Sequence, residues 1–296
     1  MTDRIHNFGA GPGVLPEPVL RQAQKDIWNI GGSGIGIAEH SHRGKVFDKI
    51  IGEAEEAARR LAGIPDNYKV LFVQGGATLQ FAMVPMNLLP AGRTADYLLT
   101  GVWAEKALQE AKKFGSTHVA VSGEASKFTR IPAVEEIRYS SDPAYVHITT
   151  NNTIYGTEWK SEPPVPAGVP LIADTSSDIF SRPIDVSKYG LIYAGAQKNL
   201  GPSGIVLVIM RADLADAAPA ALPTMLQYTA ISRSGRCTTR RRRWPSIWSG
   251  KCSSGSETPE AWPRWPNATP RKPSCCTTSS TRARCSWHRC IATVGR

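Results

Sequence analysis

The chain has 296 residues, a mass of 32.1 kDa and a hydrophobic content of 41%. This composition can build one large domain or two ordinary ones, and it excludes a wholly disordered chain. No apolar run reaches the ~18 residues of a membrane span, and the start of the chain lacks the basic segment and apolar core of a secretory signal. We therefore expect a cytoplasmic protein without a membrane span.

The net charge of +10 comes entirely from the end of the chain. Residues 1–236 contain 23 basic and 23 acidic side chains, whereas residues 237–296 contain 12 basic and two acidic ones. All six cysteines and five of the eight tryptophans also lie in residues 237–296. The sequence thus predicts a domain over 1–236 and a tail of different composition over 237–296. Because the first part has no cysteine, nothing in it suggests a disulfide framework.

Helical and strand-like patterns alternate along residues 1–236. The helical patterns cover residues 45–61, 79–89 and 104–114. The apolar strand segments are residues 69–74, 97–100, 118–121, 145–149, 171–173, 191–194 and 205–210. Because several of these strands are apolar throughout, we predict an α/β fold whose mostly parallel sheet is covered by helices on both faces. Functional sites in such folds lie at the carboxyl ends of strands.

Two polar residues lie at the ends of successive apolar strands. Lys198 comes after the strand 191–194 in a glycine-rich turn, where its amine can form an imine with a carbonyl cofactor. Asp174 comes after the strand 171–173, where its carboxylate can pair with a protonated pyridine nitrogen. Alone, each is more often a surface lysine or a loop cap. Together they favour pyridoxal phosphate as the cofactor.

Three further segments fit such a site. The turn at residues 74–78 joins a strand to a helix and offers backbone N–H groups to a phosphate, although a plain tight connection is the simpler interpretation. Trp103 can lie flat on an aromatic cofactor, or it can belong to the core. His42 and Arg43 can hold a carboxylate or a phosphate, or they can be the solvated start of a helix.

These segments resemble the phosphoserine aminotransferases, a group within the class V, fold-type I family of pyridoxal-phosphate enzymes. The resemblance covers essentially all of residues 5–228, and the run SRPIDVSKYGLIYAGAQKN is its most specific part. It is also carried by NFGAGPGVLP (7–16), EHSHRGK (39–45), LFVQGGATLQFAMVPMNLL (71–89), ADYLLTGVWAEKA (95–107) and NNTIYGTEW (151–159). It implies the large domain of that fold and the conversion of 3-phosphohydroxypyruvate and glutamate to O-phosphoserine. A phosphorylated precursor in pyridoxal phosphate synthesis is a second substrate of the group.

The resemblance also implies a role for each candidate residue. Lys198 is then the Schiff-base lysine, and Asp174 the partner of the pyridine nitrogen. The remaining cofactor contacts are Trp103 on the ring, Thr153 near the phenolic oxygen, and Ala77, Thr78 and Gln197 at the phosphate. The anionic groups of the substrate are assigned to His42 and Arg43.

The family continues beyond residue 236 in a different way from this chain. It has an Asn-Thr-Pro-Pro segment reached from a neighbouring subunit, and then a small C-terminal α/β domain, so the intact protein is expected to be a homodimer. Residues 237–248 can be encoded by codons that, with one base restored in front, read LHNTPPTVAIYL. We therefore interpret residues 237–296 as a frameshifted tail, and the small domain as missing.

Other functions rest on single features of the chain. The four arginines at 240–243 suggest nucleic-acid binding, and the cysteines of the tail suggest zinc, but both are explained by the shifted frame, so we expect neither partner. Another class V enzyme, such as an alanine–glyoxylate aminotransferase, stays open; a cysteine desulfurase is disfavoured because no cysteine precedes Cys237. A catalytically dead product is the remaining alternative, because Thr239 and Arg240 stand where the family has Asn and Thr.

Overall fold

The computed structural model describes residues 4–217, 219 and 221–234, so the predicted tail over 237–296 lies outside the described residues. The described α-helices are α1 (Glu17–Trp28), α2 (Lys45–Ala62), α3 (Ala77–Leu88), α4 (Val102–Ala111), α5 (Ala212–Asp216) and α6 (Tyr228–Ser234). The strands are β1 (Tyr68–Gln74), β2 (Thr94–Leu99), β3 (Ser116–Ser122), β4 (Pro143–Thr149), β5 (Asn151–Asn152), β6 (Thr157–Glu158), β7 (Leu171–Asp174), β8 (Leu191–Gly195) and β9 (Ile205–Arg211). None of the described helices is long and apolar enough to cross a membrane.

Seven of the strands form one mixed sheet in the order β1-β9-β8-β7-β4-β2-β3. The neighbours from β8 to β3 pair in parallel, whereas β9 runs antiparallel to both β1 and β8. The predicted mostly parallel sheet is therefore confirmed, with one reversed strand. The parallel strands place their carboxyl ends at the same edge of the sheet, which is where ligands bind in open α/β sheets.

Helices cover both faces of the sheet. Neighbouring residues of β1 belong to different apolar clusters: Phe72 belongs to the cluster that contains Ala58 of α2, and Leu71 belongs to the cluster that contains Phe81 of α3. All seven residues of β4, in the interior of the sheet, are buried. A strand covered on both sides needs apolar residues throughout, which explains why the strands show continuous rather than alternating hydrophobicity.

The elements that sequence patterns predict are found, with small differences at their ends. Helix α2 is closed by Gly63, which adopts a left-handed conformation with φ of 59°. Glycine is the residue that most readily adopts this conformation after the last turn of a helix. The helix predicted over residues 104–114 spans Val102–Ala111 instead. Helix α1 was not predicted, because only Val19, Ala23 and Asp26 of its twelve residues are buried. The two-residue strands β5 and β6 are too short to leave a pattern in the sequence.

Candidate active site

A cavity opens at the carboxyl ends of β4, β7 and β8. It encloses about 560 Å³, including the solvent at its mouth. Its lining consists of Gly76, Ala77, Thr78, Phe81, Trp103, Thr149, Asn151, Asp174, Ser176, Ser177, Gln197 and Lys198. Six of the nine predicted site residues are therefore brought together here.

Asp174 is the last residue of β7 and is only 5% exposed. Its Oδ1 accepts hydrogen bonds from the backbone N–H of Ser176 at 3.0 Å and from the Ser176 hydroxyl at 2.6 Å. Burial raises the pKa of this carboxyl to about 6, and the two bonds from Ser176 act in the opposite direction. Among the described residues, none donates a hydrogen bond to Oδ2, so this oxygen is available to a ligand.

Lys198 lies in the turn that follows β8, where it is half-buried at the cavity wall. Its Nζ donates to Thr153 Oγ1 at 3.4 Å and lies 5.9 Å from the centre of the Trp103 ring. Two contacts fix the turn: Asn199 Nδ2 donates to the Ile179 carbonyl at 2.6 Å, and the Gly13 N–H donates to the Gln197 carbonyl at 2.6 Å. The amine is thus presented to the cavity from an anchored backbone.

The N-terminus of α3 forms another wall of the cavity. Gly75, in the turn before this helix, has a φ of 98°, a conformation that glycine adopts more readily than other residues. The extended Gly76 then leads into Ala77 and Thr78, the first two helical residues. The first amide groups of a helix have no acceptor within it and carry the positive end of its dipole. This wall suits an anionic group such as a phosphate.

Two buried polar atoms in the lining residues have no hydrogen bond within the described part of the chain. They are the Trp103 Nε1 and the Thr149 Oγ1. Buried polar atoms are nearly always paired in native proteins. The residues that line the cavity therefore supply a flat indole ring and the carboxylate of Asp174, together with two unpaired polar atoms just beneath the surface, which is an environment for a polar aromatic ligand.

The three other predicted residues lie outside the cavity lining. Thr153 is exposed and reaches the site through its contact with Lys198 Nζ. His42 is half-buried and Arg43 is exposed, and both precede Gly44, the residue that caps α2. The described chain therefore does not bring His42 and Arg43 to the cavity.

Comparison with known proteins identifies the family. The model of the family described as Aminotransferase class-V matches residues 5–236. The chain belongs to the class-V aminotransferases. A phosphoserine aminotransferase from Herpetosiphon aurantiacus is 52% identical over 230 residues, which make up 78% of this chain and 64% of that protein. The chain thus spans slightly less than two thirds of that curated relative.

Solved structures agree with this membership. The phosphoserine aminotransferase of Bacillus circulans subsp. alkalophilus matches with a TM-score of 0.82 and 46% identity, over 86% of this chain and 70% of that one. A phosphoserine aminotransferase from Trichomonas vaginalis, described with pyridoxal phosphate bound, matches with a TM-score of 0.77 and 33% identity, over 85% of this chain and 70% of that one. The predicted aminotransferase fold is thereby confirmed.

Several lining residues of this class-V chain were not predicted from sequence. The sequence places Phe81 in an apolar helix and Thr149 in an apolar strand. Residues of the core occur in the same patterns, so neither residue stands out as part of a site. Ser176 and Ser177 follow Asp174 so closely that the strand end itself was a usable signal for them. Asn151 precedes the predicted Thr153 by two residues and begins the segment NNTIYGTEW that carries the family resemblance, so this motif was a usable signal for it.

Proposed function

We propose that this chain is the large domain of a pyridoxal-phosphate-dependent aminotransferase. Its reaction is the transfer of the amino group of glutamate to 3-phosphohydroxypyruvate, which yields O-phosphoserine and 2-oxoglutarate. The observation that carries this proposal is the joining of Asp174, Lys198 and Trp103 in one cavity. The identity of about 52% to phosphoserine aminotransferases directs the proposal toward that substrate.

The cavity residues fit pyridoxal phosphate. The Asp174 Oδ2 can accept from a protonated pyridine nitrogen, the Trp103 indole can cover the ring, and the N-terminus of α3 can hold the phosphate. Gln197, which lines the same cavity, adds a polar group beside that phosphate. When bound, this cofactor supplies a carbonyl carbon that captures an amine and a ring that withdraws electrons from the substrate Cα.

Three side chains then anchor the cofactor, carry a proton and stabilise the positive charge of the pyridine ring. Lys198 provides the amine that anchors the cofactor, and once displaced by the incoming amine it can carry a proton at the substrate Cα. Asp174, ionised, keeps a positive charge on the pyridine nitrogen. Thr153 orients the lysine through the 3.4 Å contact between Oγ1 and Nζ. These assignments rest on the geometry of the cavity and on the resemblance of the motifs.

Recognition of the phosphorylated substrate needs cationic groups besides Lys198, which is already assigned to the cofactor. In the described part of the chain, no arginine lines the cavity. We assign the anionic groups of the substrate to His42 and Arg43, because a guanidinium binds phosphate or carboxylate with two parallel hydrogen bonds. The assignment follows the EHSHRGK motif, and these residues must then be brought close by another copy or by another segment of the protein.

A homodimer is part of the proposal. Ile5, Phe8 and Trp28 are 88%, 87% and 85% exposed, and Ile154, one residue after Thr153, is 62% exposed. Large apolar side chains at such exposure are typical of surfaces that another protein covers. A second copy of the chain is the partner that fits the family resemblance.

We also propose that the reading frame changes near residue 236. The family match ends at residue 236, where the composition changes abruptly, and the chain covers 64% of its curated relative. The cytoplasmic location, the second substrate in pyridoxal phosphate synthesis and the lack of a nucleic-acid partner stay predictions.

The substrate assignment is tested by a panel of amino acceptors. The chain with its frame restored is incubated with glutamate, pyridoxal phosphate and one of 3-phosphohydroxypyruvate, glyoxylate or pyruvate, and 2-oxoglutarate is measured. We expect the phosphorylated acceptor to be used with the highest kcat/KM. A preference for glyoxylate would instead identify an alanine–glyoxylate type of class V enzyme.

A further inference from the structure

Ser176 connects the ends of β7 and β8 through its side chain. The Gly195 N–H, at the end of β8, donates to the Ser176 Oγ at 3.0 Å, and the hydroxyl donates in turn to the Asp174 Oδ1 at 2.6 Å. The backbone N–H of Ser176 donates to the same Oδ1 at 3.0 Å. One carboxylate oxygen of Asp174 is therefore held by two bonds, which leaves Oδ2 as the oxygen available to the cavity.

Two charged residues act on the ionisation of Asp174 in opposite directions. Asp178 disfavours its ionised form, whereas Lys198 favours it. Tyr193 is the register partner of Asp174 on β8, and its hydroxyl bonds the Nε2 of His147 at 2.8 Å. Burial lowers the pKa of His147 to about 3, so this imidazole is neutral and contributes no positive charge. Apart from Lys198, the stabilisation of the carboxylate comes from Ser176.

We propose that Ser176 is a positioning residue that keeps Asp174 ionised and directs its Oδ2 into the cavity. The use of that oxygen to hold a pyridine nitrogen rests on the proposed function, whereas the effect on the ionisation of Asp174 does not. A hydroxyl that itself accepts a backbone N–H is polarised toward donation, which strengthens its bond to a carboxylate.

The neighbouring serine provides a matched control. Ser177 lies in the same turn and lines the same cavity, but its hydroxyl donates to the Asn151 carbonyl at 3.2 Å. Removing either hydroxyl deletes one atom from the same turn. Only the removal of the Ser176 hydroxyl takes a hydrogen bond away from Asp174.

The test is a carboxyl titration of the full, ligand-free chain by NMR with ¹³C-labelled aspartate, in which Asp174→Asn identifies the resonance. We expect Ser176→Ala to raise the titration midpoint of Asp174 by about one pH unit, since hydrogen bonds to charged groups contribute roughly that much. Ser177→Ala should leave the midpoint unchanged, and Ser176→Thr, which keeps a hydroxyl, should restore it. If Ser176→Ala does not fold, Ser176→Cys tests the same direction with a weaker donor. An unchanged midpoint, or equal shifts in both alanine variants, overturns the proposal.

A second measurement separates this inference from the proposed function. Pyridoxal phosphate labelled with ¹⁵N in the ring is added, and the nitrogen resonance is followed with pH. In the wild-type chain it should report a protonated nitrogen at neutral pH, and in Ser176→Ala it should move toward the unprotonated value. If the chain with its frame restored does not bind the cofactor, the proposed function fails, while the carboxyl titration still decides the role of Ser176.

Discussion

Lys198 Nζ and Thr153 Oγ1 lie 3.4 Å apart and join the turn after β8 to the hairpin of β5 and β6. The two residues are 45 positions apart in the chain. Thr153 stands outside the cavity lining, whereas Lys198 forms part of it. The amine of Lys198 thus lies within reach of the Thr153 hydroxyl and 5.9 Å from the centre of the Trp103 ring.

Replacing Lys198 with Ala should abolish covalent capture of pyridoxal phosphate. We expect the chain to develop a visible absorbance band with added cofactor, and borohydride to fix the cofactor on the protein, because Lys198 presents its amine to the cavity. Both signals should disappear in Lys198→Ala. The control is Lys160→Ala, which removes a lysine that is 83% exposed and paired with Glu158. An unchanged band in Lys198→Ala would assign the cofactor to another amine.

Replacing Asp174 with Asn should stabilise the ligand-free chain near neutral pH. Burial raises the pKa of Asp174 to about 6 from 3.8, so the folded chain binds this proton more tightly than the unfolded chain does. The resulting penalty is absent below the unfolded pKa and grows as the pH rises toward the folded pKa. Asp174→Asn should therefore raise the free energy of unfolding at pH 7.5 by at most about 3 kcal/mol.

The same variant gives its own internal control. At pH 3, below both pKa values, Asp174 is mostly protonated in the folded and in the unfolded chain, so wild type and Asp174→Asn should unfold at similar denaturant concentrations. With the frame restored, the variant should lose orders of magnitude in turnover because a neutral amide does not hold a protonated pyridine nitrogen. A gain in stability that is equal at both pH values would contradict the assigned burial effect.

Replacing Arg43 with Lys should weaken the binding of the phosphorylated acceptor more than that of the cofactor. The substitution keeps the positive charge but removes the planar fork that binds a phosphate with two hydrogen bonds. We expect the KM for 3-phosphohydroxypyruvate to rise by about tenfold, and the affinity for pyridoxal phosphate to stay within about twofold, since Arg43 does not line the cavity. Loss of cofactor affinity alone would show that Arg43 has another role.

Replacing Gly13 with Ala should disturb the turn that carries Lys198. A Cβ on Gly13 would lie 2.6 Å from the Lys198 carbonyl oxygen, so the N-terminal segment or the turn has to move. We expect the cofactor affinity to fall by about tenfold, or ~1.4 kcal/mol. Gly52→Ala is the control, because its Cβ meets nothing within 4 Å and lies in the interior of α2. It should leave the affinity unchanged and stabilise the chain by ~0.5–1 kcal/mol. Equal effects of the two substitutions would contradict the expected clash between a Cβ at position 13 and the Lys198 carbonyl oxygen.

Much of this site can be predicted from the sequence, because the strongest signals for its residues are local. Asp174 and Lys198 each follow an apolar strand, so their meeting needs only that the two strands be neighbours in a parallel sheet. The bond from Gly195 to Ser176 depends on the register of β7 against β8, which no sequence pattern specifies. Phe81 looks like any core residue, and it was found only because the start of α3 faces the cavity. The position of Arg43 outside the cavity likewise depends on tertiary packing.

In the proposed function, residues 1–236 are the cofactor-binding domain of a phosphoserine-forming aminotransferase, and the tail after residue 236 is out of frame. The direct measurement is glutamate-dependent formation of O-phosphoserine from 3-phosphohydroxypyruvate by two purified proteins, the 296-residue chain and the chain with one base restored. We predict robust activity from the restored chain and essentially none from the 296-residue chain. Comparable activity of the two proteins would contradict the frameshift, and no activity of the restored chain toward this acceptor would contradict the proposed function.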